Sequence, residues 1–154
     1  MAKGPEVGEE APEFELEGTD GSFRLSEHRG ERIVLLFYPG DDTPVCTRQF
    51  CSYAEQSDDM GALEATVVGI SQQDVASHTA FRDKHSIPVP LLADTDGAVG
   101  KAYGLTRPVL GTQRGVVIVD EAGKVAYRHE HTLGLDFQTV EDLQAALASL
   151  PAPA

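Results

Sequence analysis

The apolar positions of the chain form short continuous runs and stretches with helical spacing. Continuous runs at 32–38, 66–71 and 116–120 are typical of strands covered on both faces of a sheet. Alternating positions at 14–17 and 23–25 flank Asp20-Gly21 and predict a hairpin or two short edge strands. A further short strand is predicted at 90–94, and Glu121-Ala122-Gly123-Lys124 indicates a hairpin between 116–120 and 125–128.

Helical spacing predicts four helices between and after these strands. They run from Thr43 to about Met60 with Gly61 near the end, from Asp74 to His85, from Ala98 to Tyr103 and from Val140 to Leu150. The order β–β–β–α–β–α–β–α–β–β–α mixes parallel crossovers with a terminal antiparallel hairpin. This order predicts an α/β fold with a central mixed sheet and helices on both faces. We expect one domain over 1–154, with frayed ends near 1–5 and 151–154.

Composition excludes several classes of function. The chain has 154 residues, 41% of them hydrophobic, and a formal net charge of −13. Such an acidic surface repels nucleic acids and anionic membranes, and no apolar run reaches the roughly 20 residues that span a bilayer. The acidic N-terminal segment lacks the apolar core of a secretory signal, so we expect a cytoplasmic protein whose cysteines are normally reduced.

Both cysteines lie in one short segment directly after the first buried strand. Residues 39–42 have the composition of a loop, Thr43 is a candidate helix N-cap, and Pro44 suits the first helical position. Cys46 is then the third helical residue. Unpaired backbone N–H groups and the positive end of the helix dipole favour a thiolate there. The segment therefore predicts a redox site with a nucleophilic Cys46.

A thiolate attacks the O–O bond of a peroxide and becomes a sulfenic acid, which a second thiol condenses to a disulfide. A nearby guanidinium would stabilise the charge that develops on the leaving oxygen. Cys51 is the candidate second thiol, but in an intact helix the two Cα atoms are about 8.6 Å apart. Disulfides need at most about 6.8 Å. We therefore expect the helix to unwind locally around 47–50 before Cys46 and Cys51 join.

Other interpretations of the two cysteines are weaker. A buried helical cysteine is often an ordinary core residue. A structural zinc site needs four ligands, usually with tighter cysteine spacing, and a thioredoxin-type oxidoreductase needs C-x-x-C. A redox-sensing or binding module, in which the Cys46–Cys51 switch changes a partner surface, remains the main alternative to an enzyme.

The residues around Cys46 resemble the active-site signature of the peroxiredoxins, Pro39-x3-Thr43-x2-Cys46. Cys51, five residues further, is similar to the second cysteine of the bacterioferritin comigratory protein (Q-type) branch. The resemblance extends over almost the whole chain and includes the segments at 8–16, 69–71, 91–94 and 103–104. It implies a thioredoxin-like fold and a thiol peroxidase that reduces hydrogen peroxide and small organic hydroperoxides. It further implies recycling by thioredoxin or a similar dithiol, with no cofactor or metal.

The resemblance also implies roles for individual residues. Cys46 is the expected peroxidatic cysteine and Cys51 the resolving one. Thr43 would orient the peroxide and Pro39 would shield the sulfur from water. The family's distal arginine precedes a late strand, and Arg114 matches that pattern. Gln49 stands where the branch has Glu or Gln, a weaker candidate for substrate positioning. Resolution within one chain favours a monomer.

Several residues depart from the family pattern or have simpler explanations. Phe50 replaces a small residue and is expected to slow or reshape the unwinding. Gly115-Val116-Val117 replaces a more typical Thr-Phe pairing after the arginine, and the segment 129–136 has no counterpart. Simple structural explanations apply to a further set: a turn for Asp41-Asp42, partly exposed helix positions for His78 and His85, an exposed edge for His129 and His131, and surface or loop positions for Arg48 and Arg107.

Overall fold

The structure is a computed structural model that describes residues 4–41, 43–107, 111–130 and 137–150. Its strands are β1 (Glu15–Gly18), β2 (Gly21–Arg24), β3 (Ile33–Phe37), β4 (Thr66–Ser71), β5 (Leu91–Ala93), β6 (Thr106–Arg107), β7 (Gly111–Thr112), β8 (Gly115–Val119) and β9 (Val125–Glu130). Its α-helices are α1 (Pro44–Glu55), α2 (Ser57–Gly61), α3 (Val75–His85), α4 (Ala98–Ala102) and α5 (Val140–Ala148). A 3₁₀ turn covers Leu25–His28.

Seven strands form one mixed sheet in the order β2-β1-β5-β4-β3-β8-β9. The three central strands, β3, β4 and β5, are parallel, and β8 pairs antiparallel with β3. In that pairing Phe37 lies opposite Gly115, so the end of β3 is next to the beginning of β8. The residue before β8 is therefore placed beside the loop that follows β3.

Successive residues of β3 point to opposite faces of the sheet, and all five are buried. Val34 and Leu36 share a core with residues of α1, α3 and α5, whereas Ile33 and Leu35 share a second core with residues around α4 and the N-terminal segment. The predicted mixed sheet with helices on both faces is thus confirmed. No helix in the described ranges is long and apolar enough to cross a membrane.

Local capping explains where α3 and α5 begin. The Asp74 carboxylate accepts a hydrogen bond from the Ser77 backbone N–H. Thr139 and Asp142 cap each other's backbone N–H groups at the start of α5. Each cap satisfies N–H groups that the first helical turn leaves without a partner.

The single helix predicted from Thr43 to about Met60 is wrong. α1 ends at Glu55, since Gln56 leaves the helical region with φ −111° and ψ 36°, and α2 begins at Ser57. Asp58 and Asp59 in the first turn of α2 favour this new helix start. A small hairpin of β6 and β7 was not predicted. At the N-terminus, Pro5 is buried, while residues 1–3 and 151–154 lie outside the described residues.

Candidate active site

The first turn of α1 positions Cys46. Thr43 occupies the N-cap position, Pro44 is the first helical residue and Cys46 the third, as predicted. The Thr43 hydroxyl does not cap a helical N–H; it donates to the Gly40 carbonyl, at 3.0 Å. Cys46 is fully buried, whereas Thr43 and Pro39 are exposed. The hydrogen bond from Thr43 to Gly40 thus ties the loop before α1 to the start of the helix that carries Cys46.

Arg114 lies directly before β8 and is buried beside Cys46. Its Nη1 is 3.1 Å from the Cys46 Sγ and 3.0 Å from the Gln49 Oε1. Burial lowers the pKa of Arg114, and the charge of Cys46 acts in the opposite direction. Because a guanidinium remains charged at any physiological pH, Arg114 supplies a fixed positive charge to the sulfur.

A chain of hydrogen bonds continues from Arg114 to the beginning of α5. Gln49 Nε2 donates to Tyr53 Oη at 2.9 Å, and Tyr53 Oη donates to the Gln138 carbonyl at 2.6 Å. Burial raises the pKa of Tyr53, so the phenol stays protonated and remains a donor. Neither Tyr53 nor Gln138 is among the site residues predicted from the sequence. The helical spacing of 46, 49 and 53 identifies Tyr53, but no sequence signal connects it to Gln138.

One donor of Arg114 has no partner in the described part of the chain. Its Nε–H is buried and finds no acceptor there. A buried donor without an acceptor costs about 1–3 kcal/mol, so a ligand oxygen that supplies one is favoured at this position. The orphaned N–H belongs to the same guanidinium that contacts the Cys46 sulfur.

Cys51 lies on the same helix in different surroundings. It is partly exposed, and its Sγ is 3.4 Å from Nδ1 of His85, in the last turn of α3. Both cysteines are free thiols. α1 is continuous over both positions, and regular helical geometry separates their Cα atoms by about 8.6 Å. That separation is too long for a disulfide.

Phe50 fills the core between the two cysteine-bearing turns. It is fully buried, and its ring lies 4.7 Å from Tyr38, 5.5 Å from Tyr53 and 5.9 Å from Phe81, measured between centroids. All three arrangements are edge-to-face, a favourable geometry for aromatic pairs. Phe50 thereby holds the middle of α1 against β3 and α3.

Hydrogen bonds to the buried carboxylate of Asp41 hold the loop between β3 and α1. Asp41 Oδ2 accepts from His78 Nδ1 at 2.8 Å and from the Ser77 hydroxyl at 2.7 Å, and Asp41 Oδ1 accepts from the Tyr38 hydroxyl at 2.7 Å. His78 Nε2 lies 2.9 Å from the Leu92 carbonyl, which only accepts hydrogen bonds. Both ring nitrogens of His78 therefore lie within hydrogen-bond distance of an oxygen acceptor.

The pKa of Asp41 depends on its burial and on these hydrogen bonds. Burial alone would raise the pKa of Asp41, but hydrogen bonds from His78, Ser77 and Tyr38 together lower it below its ordinary value. The predicted partly exposed position of His78 is wrong, because the ring is fully buried between Asp41 and Leu92. The corresponding prediction for His85, which is partly exposed, is confirmed.

The other residues considered from the sequence lie away from the thiols or outside the described residues. Arg48 is exposed on α1, with its guanidinium 5.7 Å from the centre of the Phe137 ring. His129 is exposed on β9. Asp42, His131 and the Arg107 side chain lie outside the described residues. In the described ranges, no group of three or more His, Cys, Asp or Glu side chains is arranged to hold a metal ion.

Comparison with known proteins gives a family for this fold and site. The model of the AhpC/TSA family matches residues 7–128. Peroxiredoxin Bcp of Bacillus subtilis is 31% identical over 128 residues, which cover 78% of this chain and 82% of that protein. The chloroplastic peroxiredoxin Q of Triticum aestivum is 38% identical over 123 residues, which cover 78% of this chain and 57% of that protein.

Solved structures show the same architecture. The crystal structure of peroxidoxin BcpB from Mycobacterium tuberculosis superposes with a TM-score of 0.83 and 27% identity, over 96% of this chain and 99% of that chain. Peroxiredoxin Q of Xanthomonas campestris superposes with a TM-score of 0.76 and 26% identity, over 88% and 90%.

The chain belongs to the AhpC/TSA family, and its relatives include both Bcp and peroxiredoxin Q proteins. The predicted thioredoxin-like fold is confirmed by its structural neighbours. The prediction of a peroxiredoxin, which is a thiol peroxidase, is confirmed at the level of the family. The roles of individual residues are proposals from the geometry.

Proposed function

We propose that this chain reduces hydrogen peroxide and small organic hydroperoxides with Cys46 as the peroxidatic cysteine and Cys51 as the resolving one. The observation that carries the proposal is the 3.1 Å contact between the Arg114 guanidinium and the buried Cys46 sulfur. The fixed charge of Arg114 and the first-turn N–H groups of α1 stabilise the thiolate.

The first step is a displacement at oxygen. The Cys46 thiolate attacks one peroxide oxygen, the O–O bond breaks, and Cys46 becomes a sulfenic acid while the other oxygen leaves as an alkoxide or hydroxide that takes a proton. Charge grows on the leaving oxygen, and Arg114 stabilises it. The Arg114 Nε–H, which has no acceptor among the described residues, is a ready donor to an arriving peroxide.

Gln49 acts as a positioning residue in this scheme. Its side-chain oxygen accepts a hydrogen bond from Arg114, and its amide donates one to Tyr53. Gln49, itself held by Tyr53, thereby orients the guanidinium. Thr43 and Pro39 lie in the loop at the helix start. From the family resemblance, we assign peroxide orientation to Thr43 and shielding of the sulfur from water to Pro39. The Thr43 hydroxyl must exchange its bond with the Gly40 carbonyl if it is to orient a peroxide.

The second step joins the cysteines within one chain. The Cys51 thiol attacks the Cys46 sulfenic sulfur, a disulfide forms, and water leaves. The residues 47–50 must unwind first, since α1 holds the Cα atoms too far apart. Thioredoxin or a similar dithiol then reduces the disulfide and is itself oxidised. No partner subunit is needed, and a monomer in the cytoplasm stays our prediction.

A stoichiometric titration tests the proposal. Reduced protein is mixed with one equivalent of hydrogen peroxide, and free thiols and intact mass are followed with time. We expect rapid loss of two thiols and a mass decrease of about 2 Da. Cys46→Ser should abolish the reaction, and Cys51→Ser should accumulate a sulfenic acid.

Turnover with a dithiol donor separates the enzyme from a redox-sensing module. The enzyme consumes many equivalents of peroxide when thioredoxin and its reductase are supplied. If the two thiols react with peroxide no faster than an ordinary free cysteine, the peroxidase is refuted and the redox-sensing module is favoured.

A further inference from the structure

Cys51 has a basic partner that the proposed function does not use. Its Sγ lies 3.4 Å from Nδ1 of His85, and this contact joins α1 to α3 across 34 residues of sequence. In the tautomer with its hydrogen on Nε2, the imidazole accepts through Nδ1 and the Cys51 thiol donates. The contact is separate from the cluster of Arg114, Gln49 and Cys46.

His85 lies at the C-terminal end of α3 and packs against Phe81. The residue lies in the last turn of α3, where the negative end of the helix dipole stabilises a cation. The ring packs edge-on against Phe81, with 5.3 Å between the ring centres, and this contact orients it toward α1. The imidazole is thus placed within hydrogen-bond distance of the Cys51 thiol.

The charged residues near the pair carry both signs. By sequence spacing these are Arg82, Asp83 and Lys84 on α3, and Arg48 and Glu55 on α1. Arg82 is paired with Asp20 and bonded to the Ile87 carbonyl, and Arg48 lies over Phe137. Lys84 adjoins His85 on α3, and Glu55 lies one turn after Cys51 on α1.

We propose that His85 is the general base that ionises Cys51 for attack on the Cys46 sulfenic acid. The inference rests on the proposed function. His85 takes the thiol proton, and the Cys51 thiolate forms the S–S bond as the sulfenic S–O bond breaks. The departing hydroxide takes the proton from the imidazolium and leaves as water, so the sum is one thiol and one sulfenic acid giving one disulfide and water.

The size of the benefit follows from thiol chemistry. An unassisted thiol is only about 3% ionised at pH 7, so complete proton transfer raises the thiolate fraction about thirtyfold. A more stable thiolate is a weaker nucleophile, which offsets part of this gain. The expected net advantage at pH 7 is about fivefold, and it disappears above about pH 9, where thiols ionise without help.

The direct test uses Cys46→Ser, in which Cys51 is the only cysteine left. The rate of its alkylation by iodoacetamide is measured from pH 5 to 10, with and without His85→Asn. Asparagine keeps a polar group near the Nδ1 position but cannot take the proton. We expect His85→Asn to lower the alkylation rate at pH 7 by about fivefold and to have little effect above pH 9. This result does not depend on peroxidase activity, and identical profiles would overturn the inference.

The kinetic test uses the chain with both cysteines. A single peroxide pulse is quenched at intervals, and intact mass reports the sulfenic acid and the disulfide. In His85→Asn we expect sulfenic acid formation at the wild-type rate, disulfide formation about fivefold slower at pH 7, and recovery by pH 9. Equal slowing at every pH would mean a structural role and overturn the inference, as would no slowing.

Two controls keep the test decisive. His129→Asn makes the same substitution at an exposed histidine on β9 and should leave both steps unchanged. If His85→Asn folds poorly by circular dichroism, His85→Ala with added imidazole replaces it, and restored disulfide formation supports the base. Failure of the wild-type protein to form any sulfenic acid would instead refute the proposed function, while the alkylation profiles would still decide whether His85 ionises Cys51.

Discussion

The two cysteines share one helix but have different neighbours. Cys46 is fully buried against a guanidinium, whereas Cys51 is partly exposed against an imidazole. A guanidinium holds its charge at any physiological pH, while an imidazole gains and loses a proton near neutrality. In the proposed cycle, this difference means that the first thiol is ready before peroxide arrives and the second gives up its proton during resolution.

In the proposed cycle, the helical segment between the cysteines must unwind after sulfenic acid formation and before disulfide formation. The buried ring of Phe50 contacts Tyr38, Tyr53 and Phe81, and it must leave this core if residues 47–50 unwind. In the proposed cycle, the cost of unwinding would therefore oppose the disulfide and prolong the life of the sulfenic acid. Phe50 stands where a small residue is expected from the family resemblance.

The largest expected effect is that of Phe50→Ala. Removing this buried ring should lower the free energy of unfolding by about 3–5 kcal/mol, because a cavity replaces its aromatic contacts. The disulfide should form faster after a peroxide pulse, since unwinding no longer extracts a ring from the core. Chemical denaturation and quenched mass spectrometry measure the two quantities.

Phe23→Ala is the matched control for Phe50→Ala, since Phe23 lies in the core on the opposite face of the sheet. It should destabilise the protein without accelerating the disulfide. Lost stability with unchanged resolution in Phe50→Ala would contradict local unwinding of 47–50.

Arg114→Ala tests the Cys46 side of the comparison. Loss of the positive charge should slow sulfenic acid formation by about 10²–10³-fold, the usual cost of removing one donor that stabilises developing charge. Disulfide formation from sulfenic acid already made should change much less, because His85 and Cys51 lie outside the Arg114 cluster. Rapid-quench mass spectrometry separates the steps.

Arg48→Ala is the control for Arg114→Ala, since Arg48 is exposed on the same helix as both cysteines. It should leave the peroxide step near the wild-type rate. An equal loss in both variants would mean that general positive charge, and not the contact with Cys46, determines the rate.

Asp41→Asn should give a smaller effect that depends on pH. The folded-state pKa of Asp41 is lowered by its hydrogen bonds, so the ionised carboxylate adds stability at pH values above the ordinary aspartate pKa. This stability is lost as pH falls below about 4. The variant should lose about 1.5–3 kcal/mol at pH 7. Its stability should fall less than that of the wild type on acidification. Denaturation at pH 3 to 7 measures both slopes.

Asp83→Asn, an exposed site on α3, is the control for Asp41→Asn and should keep the wild-type dependence on pH. Parallel curves for the wild type and Asp41→Asn would show that the buried pair contributes no acid sensitivity.

The features that depend on residues adjacent in sequence were predicted correctly. Thr43-Pro44 places Cys46 in the first turn of α1, and the apolar runs place β3, β4 and β8. Arg114 was identified only through the family resemblance, which places an arginine before a late strand. Even so, its approach to Cys46 depends on the antiparallel pairing of β3 with β8, which periodicity does not specify.

The missed features depend on contacts between distant parts of the chain. Helical spacing alone predicts a partly exposed His78. Its burial depends on Asp41, which lies 37 residues earlier and supplies a buried acceptor. The contact of His85 with Cys51 spans a similar distance. The break at Gln56 was missed for a local reason, because no Gly or Pro marks it and the signal is the new N-terminal turn at Ser57 to Asp59.

The pairing of β3 with β8 also bears on how the protein is made. A growing chain exposes Cys46 and Cys51 long before Arg114 is synthesised, and the guanidinium reaches the sulfur only when β8 has joined the sheet. An unfinished or unfolded chain therefore carries two ordinary thiols. In the proposed cycle, the reactivity of Cys46 therefore develops only with the completed fold, and a ribosome-bound chain would be spared oxidation at this residue.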